Sequence, residues 1–491
     1  MNKLIIICFL LPAFLFGQEM PEIVEREDMV RDIYFLASDE LEGRKTGEQG
    51  NLVAARYIAE AFRENGLISP DGINNYYQPI PFEKRKPTES GNITTRDTML
   101  EHGEGLLILT GSKISNTYEM VFVEEGWVAD TIDQYAGLDV KGKIAISLFG
   151  LPGSKDPRAG FNAVRDKRKM AAEKGAAGLI EIYTGGYPWS ILKGYLLREQ
   201  LTLGSNAEEN TDLFYALANY AFIPEIQKLK EKQKVEIVVE SSGVDIKNIK
   251  SPNVVGWIEG SDPNLKNEYV ILSAHYDHVG TQEAAEGEDG VFNGARDNAI
   301  GLSAILQAAD YFSENPPKRS LLFIAFTGEE IGLLGSRYYS ENPVLPLKDA
   351  IFNLNTDGAG YNDTSRITIM GINRVGVLDI FNASAAAVGL RAEGDPAPEQ
   401  NLFDRSDNVN FAKLGIPAPT FSPGFSAFDE EINRYYHKVS DNPETLNFNY
   451  LEKYATAYVL TAQSIANLSE RPKWREGDKY EEAYNKLINQ P

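Results

Sequence analysis

Four apolar runs in the second half of the chain, YVILSA (269–274), SLLFIAF (320–326), AIFNLN (350–355) and APTFS (418–422), are separated by segments with helical spacing. Successive side chains of a strand point to opposite faces, so a run that is apolar at nearly every position needs cover on both sides. AIGLSAILQAADYFSE, GVLDIFNASAAAVGL and YLEKYATAYVLTAQSIANL supply that cover. Their apolar residues recur with the helical period. Strand, loop and helix in repetition predict an α/β fold with a mixed, largely parallel central sheet flanked by helices. In such sheets ligands collect beyond the carboxyl ends of the strands.

Metal-ligand residue types fall at those ends. His275 and Asp277 follow the first run in SAHYDHVG, Glu329 and Glu330 follow the second in FTGEEIGLLGS, and Asp357 follows the third in NTDGAG. NGARDNAIG places Asp297 in a glycine-containing loop, where Asn298 can cap the next helix, and RYYHKVSD supplies His437. Taken singly these are weak signals, because a Glu-Glu pair is usually solvated and NTDG is usually a turn. Together they form one constellation in one α/β unit.

Zinc prefers imidazole and carboxylate in sites that leave a position for water. Two histidines and three carboxylates suit a pair of zinc ions: His275 and Asp357 on one, His437 and Glu330 on the other, Asp297 bridging both. Two metals about 3.5–4 Å apart lower the pKa of a shared water and polarise a carbonyl. Glu329 is then a spare carboxylate able to take the water's proton and pass it on as general acid/base. Asp277 is placed to orient the His275 ring. His278 is expected to pack or hydrogen-bond beside the site rather than bind zinc.

The first half of the chain has another character. MNKLIIICFLLPAFLFG, residues 1–17, has the layout of a secretory signal peptide, and its apolar run is short for a membrane span. Export to the periplasm or the exterior follows, with no stable membrane insertion. The single cysteine leaves packing or metals, not disulfides, to hold the exported chain. Residues 18–99 contain two helical segments, 24–38 and 49–65, on either side of DELEGRKTGEQG, a loop expected to be fixed by Arg44. Residues 100–245 read as a β-rich insert without a metal-ligand cluster, 246–470 as the main catalytic part and 471–491 as a tail. A net charge of −23 with dispersed acids argues against nucleic acid as a partner.

SAHYDHVG, NGARDNAIG, FTGEEIGLLGS, NTDG and YYHKVSDNPET, in that order, resemble the motifs of the di-zinc aminopeptidases of metallopeptidase clan MH. LASDELEGRKTGEQG is similar to the amino-terminal segment of their secreted bacterial members. GLDVKGKIAISLFG with AAEKGAAGLIEIY resembles the protease-associated domain that such enzymes often carry. The resemblance implies a zinc metallopeptidase acting on peptide substrates, with His275, Asp297, Glu330, Asp357 and His437 on two zinc ions, Glu329 as general acid/base and Asp277 behind His275.

Two departures stand out. Arg296 occupies a place where relatives often have a small or amide residue, and is expected to shape the site mouth. FDRSDNVNF has Asn408 where relatives often have histidine, which leaves Asp407 as a candidate for substrate binding or support of the site; Tyr436 is a further substrate-binding candidate. A carboxypeptidase of the glutamate-carboxypeptidase type is the alternative on the same fold, with Arg296, Arg405 and Arg434 as receivers of a free carboxylate. A glutaminyl cyclase, and a catalytically dead binding protein, are the remaining readings.

Overall fold

The computed structural model describes residues 21–129, 131–154, 156–204 and 213–489. The expected signal peptide, residues 1–17, lies outside the described residues. Two compact units are present: residues up to Ile80 joined by Ser251 onward, and the inserted segment Pro81–Lys250.

The first unit is built on an eight-stranded sheet in the order Tyr77–Gln78, Asn253–Ile258, Ser320–Phe326, Tyr269–His275, Ala350–Thr356, Thr420–Pro423, Arg366–Met370, Arg391–Glu393. Tyr269–His275 runs parallel to both Ser320–Phe326 and Ala350–Thr356, which in turn is parallel to Thr420–Pro423. Antiparallel pairs sit toward the two edges. Every residue of Tyr269–His275, Ser320–Phe326 and Ala350–Thr356 is buried, as continuous apolar runs require. The expected mixed, largely parallel sheet is therefore present.

Helices Ile300–Glu314 and Phe448–Ala466 pack on one another and on Tyr269–His275, while Gln49–Glu64 packs on Asn253–Ile258. Their buried faces merge with the strands into one core. Leu302 and Ile305 are fully buried there, and truncating either to alanine costs about 2–5 kcal/mol. No helix among the described residues is long and apolar enough to cross a membrane.

The inserted unit has a mixed eight-stranded sheet, a three-stranded sheet and helices that include Pro157–Glu173 and Ile223–Lys230. Its extent corrects the expected 100–245. Phe82–Lys86 pairs with Gln200–Leu203 and Asp245–Ile249, and Gly91–Thr94 pairs with Glu236–Ser241. The backbone groups of residues 82–94 are thus satisfied inside the insert, so 18–99 is not one piece of the peptidase unit. Phe82–Lys86 reads FEKRK, the charged central strand of the three-stranded sheet, with almost no apolar signal to betray a strand.

Of residues 471–491, expected to be a tail, the described part, 471–489, is packed instead. Trp474 is buried and its Nε1 donates to the Gly415 carbonyl at 2.8 Å. Helix Glu481–Ile488 buries Tyr484 and Leu487.

Candidate metal centre

Three parallel strands deliver the cluster. Tyr269–His275 ends on His275, Glu329 and Glu330 follow Ser320–Phe326 by three and four residues, and Asp357 directly follows Ala350–Thr356. Asp297 comes from the loop before Ile300–Glu314. That loop turns at Gly294, φ +59, where an added Cβ would collide with the Asp297 carbonyl and sit 2.6 Å from the His278 ring. Asn298 closes the turn as expected, its Nδ2 donating to the Thr356 carbonyl at 3.0 Å and its Oδ1 accepting the Gly301 amide at 3.2 Å. His437 arrives from the far end of the sequence at φ 51, a left-handed conformation that costs a non-glycine residue about 1–3 kcal/mol.

Asp297 faces both histidines. Its Oδ1 is 3.2 Å from His275 Nε2 and its Oδ2 is 3.1 Å from His437 Nε2. Asp357 Oδ1 is 3.2 Å from the same His275 nitrogen, and Glu330 Oε2 is 3.1 Å from the same His437 nitrogen. Ligand atoms of His275, Asp297 and Asp357 lie within 4.8 Å of one another, as do those of His278, Asp297, Glu330 and His437. All five expected ligands are together, in the expected grouping of two pairs around one shared carboxylate.

The hydrogen bonding shows that this donor set fits metal. His275 Nδ1 donates to the Asp277 backbone carbonyl at 3.1 Å, so in a neutral ring Nε2 holds a lone pair. That nitrogen faces two carboxylate oxygens, so it needs a cation between them: a proton on the ring, which these carboxylates favour, or a metal ion in its place. His278 donates from Nδ1 to Glu330 Oε1 at 2.7 Å and leaves Oε2 turned to His437. Its expected place beside the site therefore agrees with the structure.

Asp277 holds the site differently from the expected way. Its backbone carbonyl, not its carboxylate, orients the His275 ring; the carboxylate is 3.9 Å from that nitrogen. The carboxylate instead accepts the Glu329 amide at 3.1 Å and the Glu330 amide at 3.4 Å, with the Thr46 hydroxyl at 2.9 Å. Thr46 sits in the DELEGRKTGEQG loop, which is indeed fixed by Arg44. That buried guanidinium donates to the carbonyls of Tyr276 at 2.8 Å, Asn293 at 2.6 Å and Gly294 at 3.0 Å, and to Leu36. One arginine so ties three segments that surround the metal ligands.

Glu329 lines the cavity beside the cluster but makes none of these ligand contacts. Burial first, and then the carboxylates of Asp357 and Asp407, push its acid well above the usual range against the pull of His275. A carboxyl group raised this way is suited to take up a proton and pass it on.

The cleft spans about 680 Å³ of space, open solvent included. Beyond Asp297, Glu329, Glu330, Asp357 and His437 it is walled by Met370, Leu402, Phe425, Phe428 and Ile432, with Tyr436 and Arg405 also lining it. Tyr436 thus reaches the place expected of a substrate-binding residue. Arg296 does not. It is buried, bonded to Asp441 at 3.0 Å and to Thr445 Oγ1 at 2.7 Å, and laid 3.6 Å over the Tyr435 ring. Asp441 draws the cation away from the mouth. Asp407 is likewise absent from the cavity wall, being fully buried with neither carboxylate oxygen in a hydrogen bond among the described residues.

Asp441 and Thr46 are the supports that sequence reading left unassigned. Asp441 accepts the amides of Arg296 at 2.9 Å and Asp297 at 3.3 Å and so shapes the bridging loop. Its signal was its place four residues after His437. Thr46 has no local signal, since its partner is 231 positions away.

Residues 253–462 match peptidase family M28. Aminopeptidase YwaD of Bacillus subtilis is similar at 25% identity over 230 residues, 46% of this chain and 47% of that relative. A vacuolar membrane protease of Pyrenophora tritici-repentis is similar at 26% over 238 residues, 46% of this chain and 23% of its own length. The chain spans less than half the length of either curated relative. Among solved structures, an aminopeptidase from Aneurinibacillus sp. strain AM-1 shares the fold with a TM-score of 0.51 and 24% identity, over 93% of this chain and 96% of that one.

Proposed function

We propose that the protein is an exported di-zinc aminopeptidase that removes the first residue of peptides, a reading supported by the match of residues 253–462 to peptidase family M28. The observation that carries this reading is Asp297 turned to His275 with one oxygen and to His437 with the other. His275, Asp357, Asp297, Glu330 and His437 would hold two zinc ions. Zinc bound there would supply an activated water and polarise the scissile carbonyl.

The remaining roles belong to the chain itself. Glu329 takes a proton from the attacking water and passes it to the leaving amine. Asp277 fixes the Glu329 and Glu330 amides, and thereby where both side chains start. Met370, Phe425 and Phe428 give the first residue of the substrate an apolar seat, and the acidic cluster beside it attracts a free α-ammonium. Export rests on the leader-like residues 1–17, and the inserted unit is assigned to the protease-associated type on the resemblance of GLDVKGKIAISLFG and AAEKGAAGLIEIY.

The test is turnover of leucine p-nitroanilide by purified protein, its loss on chelation, its return with zinc, and metal analysis giving two ions per chain. Fully metallated protein that spares every peptide with a free amino end would overturn the reading.

A carboxypeptidase is the second reading, and one observation favours it: Arg405 lines the cavity and has no ion-pair partner among the described residues. The other two arginines considered for that role are engaged, Arg296 with Asp441 and Arg434 with Glu431. Cleavage of amino-blocked peptides together with sparing of carboxyl-blocked ones would establish it.

A further inference from the structure

The apolar seat beside the metal ligands contains three buried hydroxyls. Ser406, Thr420 and Ser422 line the same cleft as Met370 and Leu402, yet none of the three is more than 6% exposed. Thr420 and Ser422 alternate along strand Thr420–Pro423 and so share a face, and Met370 pairs directly opposite Thr420 on the neighbouring strand. Gly358, next to the ligand Asp357, leaves room for Ser422: a Cβ there would sit 2.6 Å from Ser422 Oγ. The hydroxyls therefore lie between the apolar wall and the metal ligands.

Their hydrogens are left to give. A one-way chain of hydrogen bonds starts at Asn353, whose Nδ2 donates to Ser273 Oγ at 2.8 Å, and Ser273 Oγ donates to Asn355 Oδ1 at 2.9 Å. Asn355 Nδ2 then donates to Ser406 Oγ at 2.9 Å and to Thr420 Oγ1 at 3.3 Å. Turning the Asn355 amide alone would give Ser273 two donors and no acceptor for its own hydrogen. Reversing the whole chain would put the two-hydrogen nitrogen of Asn353 where its oxygen now stands, a buried position with no partner among the described residues. An orphaned amide nitrogen is the costlier of the two, which sets the direction. Ser406 and Thr420 thus each accept one bond and keep a hydrogen to donate, and the Ser422 hydroxyl makes no hydrogen bond among the described residues.

Buried hydroxyls normally find partners, and these three share one cleft. Donors side by side fit an oxygen that accepts: a side-chain carbonyl or carboxylate takes two such hydrogens, while the methylenes behind it rest against Met370 and Leu402. A cationic side chain meets only the remaining lone pairs, leaves the hydrogens unspent and shares the wall with Arg405. An aliphatic end buries all three hydroxyls without a partner, which a site built for hydrogen bonding penalises.

We propose that Ser406, Thr420 and Ser422 are specificity-determining residues that select a first residue with a carbonyl or carboxylate oxygen on a short methylene stem, glutamine or glutamate. The inference rests on the aminopeptidase reading and narrows its substrate class.

The test is turnover of the p-nitroanilides of glutamate, glutamine and norleucine, three side chains of similar length, by the full-length, zinc-loaded chain. At least one of the two oxygen-bearing substrates is expected to exceed norleucine in kcat/KM by about tenfold or more, the worth of one hydrogen bond, and which of them leads shows whether the oxygen is charged. Thr420→Val and Ser422→Ala are each expected to lower that ratio by about tenfold while keeping two zinc ions and cooperative thermal unfolding. Ser422→Ala removes a hydroxyl that bonds nothing in the described chain, so a change in the ratio cannot come from a weakened fold. Norleucine turned over as well as both others, or a ratio that neither variant lowers, would overturn this inference and leave the aminopeptidase reading standing. Failure of all three substrates and of leucine p-nitroanilide would overturn both.

Discussion

Asp277 and Glu329 are joined through the backbone: Asp277 Oδ1 accepts the Glu329 amide at 3.1 Å, while its Oδ2 takes the Thr46 hydroxyl at 2.9 Å. The Asp277 carboxylate is completely buried, so nothing replaces it when it is removed. Asp277→Ala should lower metal affinity and kcat by about 10–100-fold, as loss of a support behind metal ligands does. Thr46→Val, which removes one of the three donors, should show a smaller loss of the same kind. Steady-state kinetics at saturating zinc separates the effects: a variant restored fully by excess metal would show that Asp277 serves the ligand Glu330 and not Glu329.

Glu329 makes the complementary case. It lines the cavity and stands apart from the ligand contacts, so its amide replacement should leave both metal positions intact. Glu329→Gln is expected to cut kcat by about 10²–10⁴-fold, the usual contribution of a general acid/base, with little change in KM. Metal analysis should still give two zinc ions per chain. Loss of an ion in that variant would make Glu329 a ligand and would require a different proton carrier.

Arg296 tests a correction. Sequence reading placed this cation at the mouth, yet it is 3% exposed and paired with Asp441, itself 1% exposed. Removing one partner of a buried pair leaves the other uncompensated and costs about 3–5 kcal/mol. Arg296→Met should therefore lower the unfolding free energy by about that amount and perturb the Asp297 loop that Asp441 shapes. KM for amino-acyl substrates should stay near wild type in the folded fraction. A raised KM with unchanged stability would return Arg296 to the substrate site.

What was legible in the sequence follows from where its partners lie. The strands Tyr269–His275 and Ser320–Phe326 announce themselves because burial on both faces demands apolar residues at every position. His275, Glu330 and Asp357 were readable because parallel strands bring their ends to one edge, so strand ends far apart in sequence converge in space. Arg296 was misjudged because the acid that claims it is 145 positions away, and no local pattern reports such a pairing. The same holds for the boundary at Pro81: Phe82–Lys86 is a strand because of Asp245–Ile249 and Gln200–Leu203, not because of its own charged sequence.

Asp407 gives the pH prediction. Burial, partly opposed by His275 and by the Ser336 hydroxyl, raises its acid to about 7. Between the unfolded value of about 4 and the folded value, the native state holds a proton that the unfolded chain has released. Stability therefore falls as pH rises through that window and levels off above it, by a total on the order of 4 kcal/mol if the full shift is realised. Asp407→Asn cannot ionise and escapes this loss. In chelator-treated protein, its urea midpoint relative to wild type should climb from pH 5 to pH 7, more gently from pH 7 to pH 8, and be flat above about pH 8. A difference that does not vary with pH would mean that Asp407 is charged throughout, and that the positive His275 ring, rather than burial, governs this corner of the site.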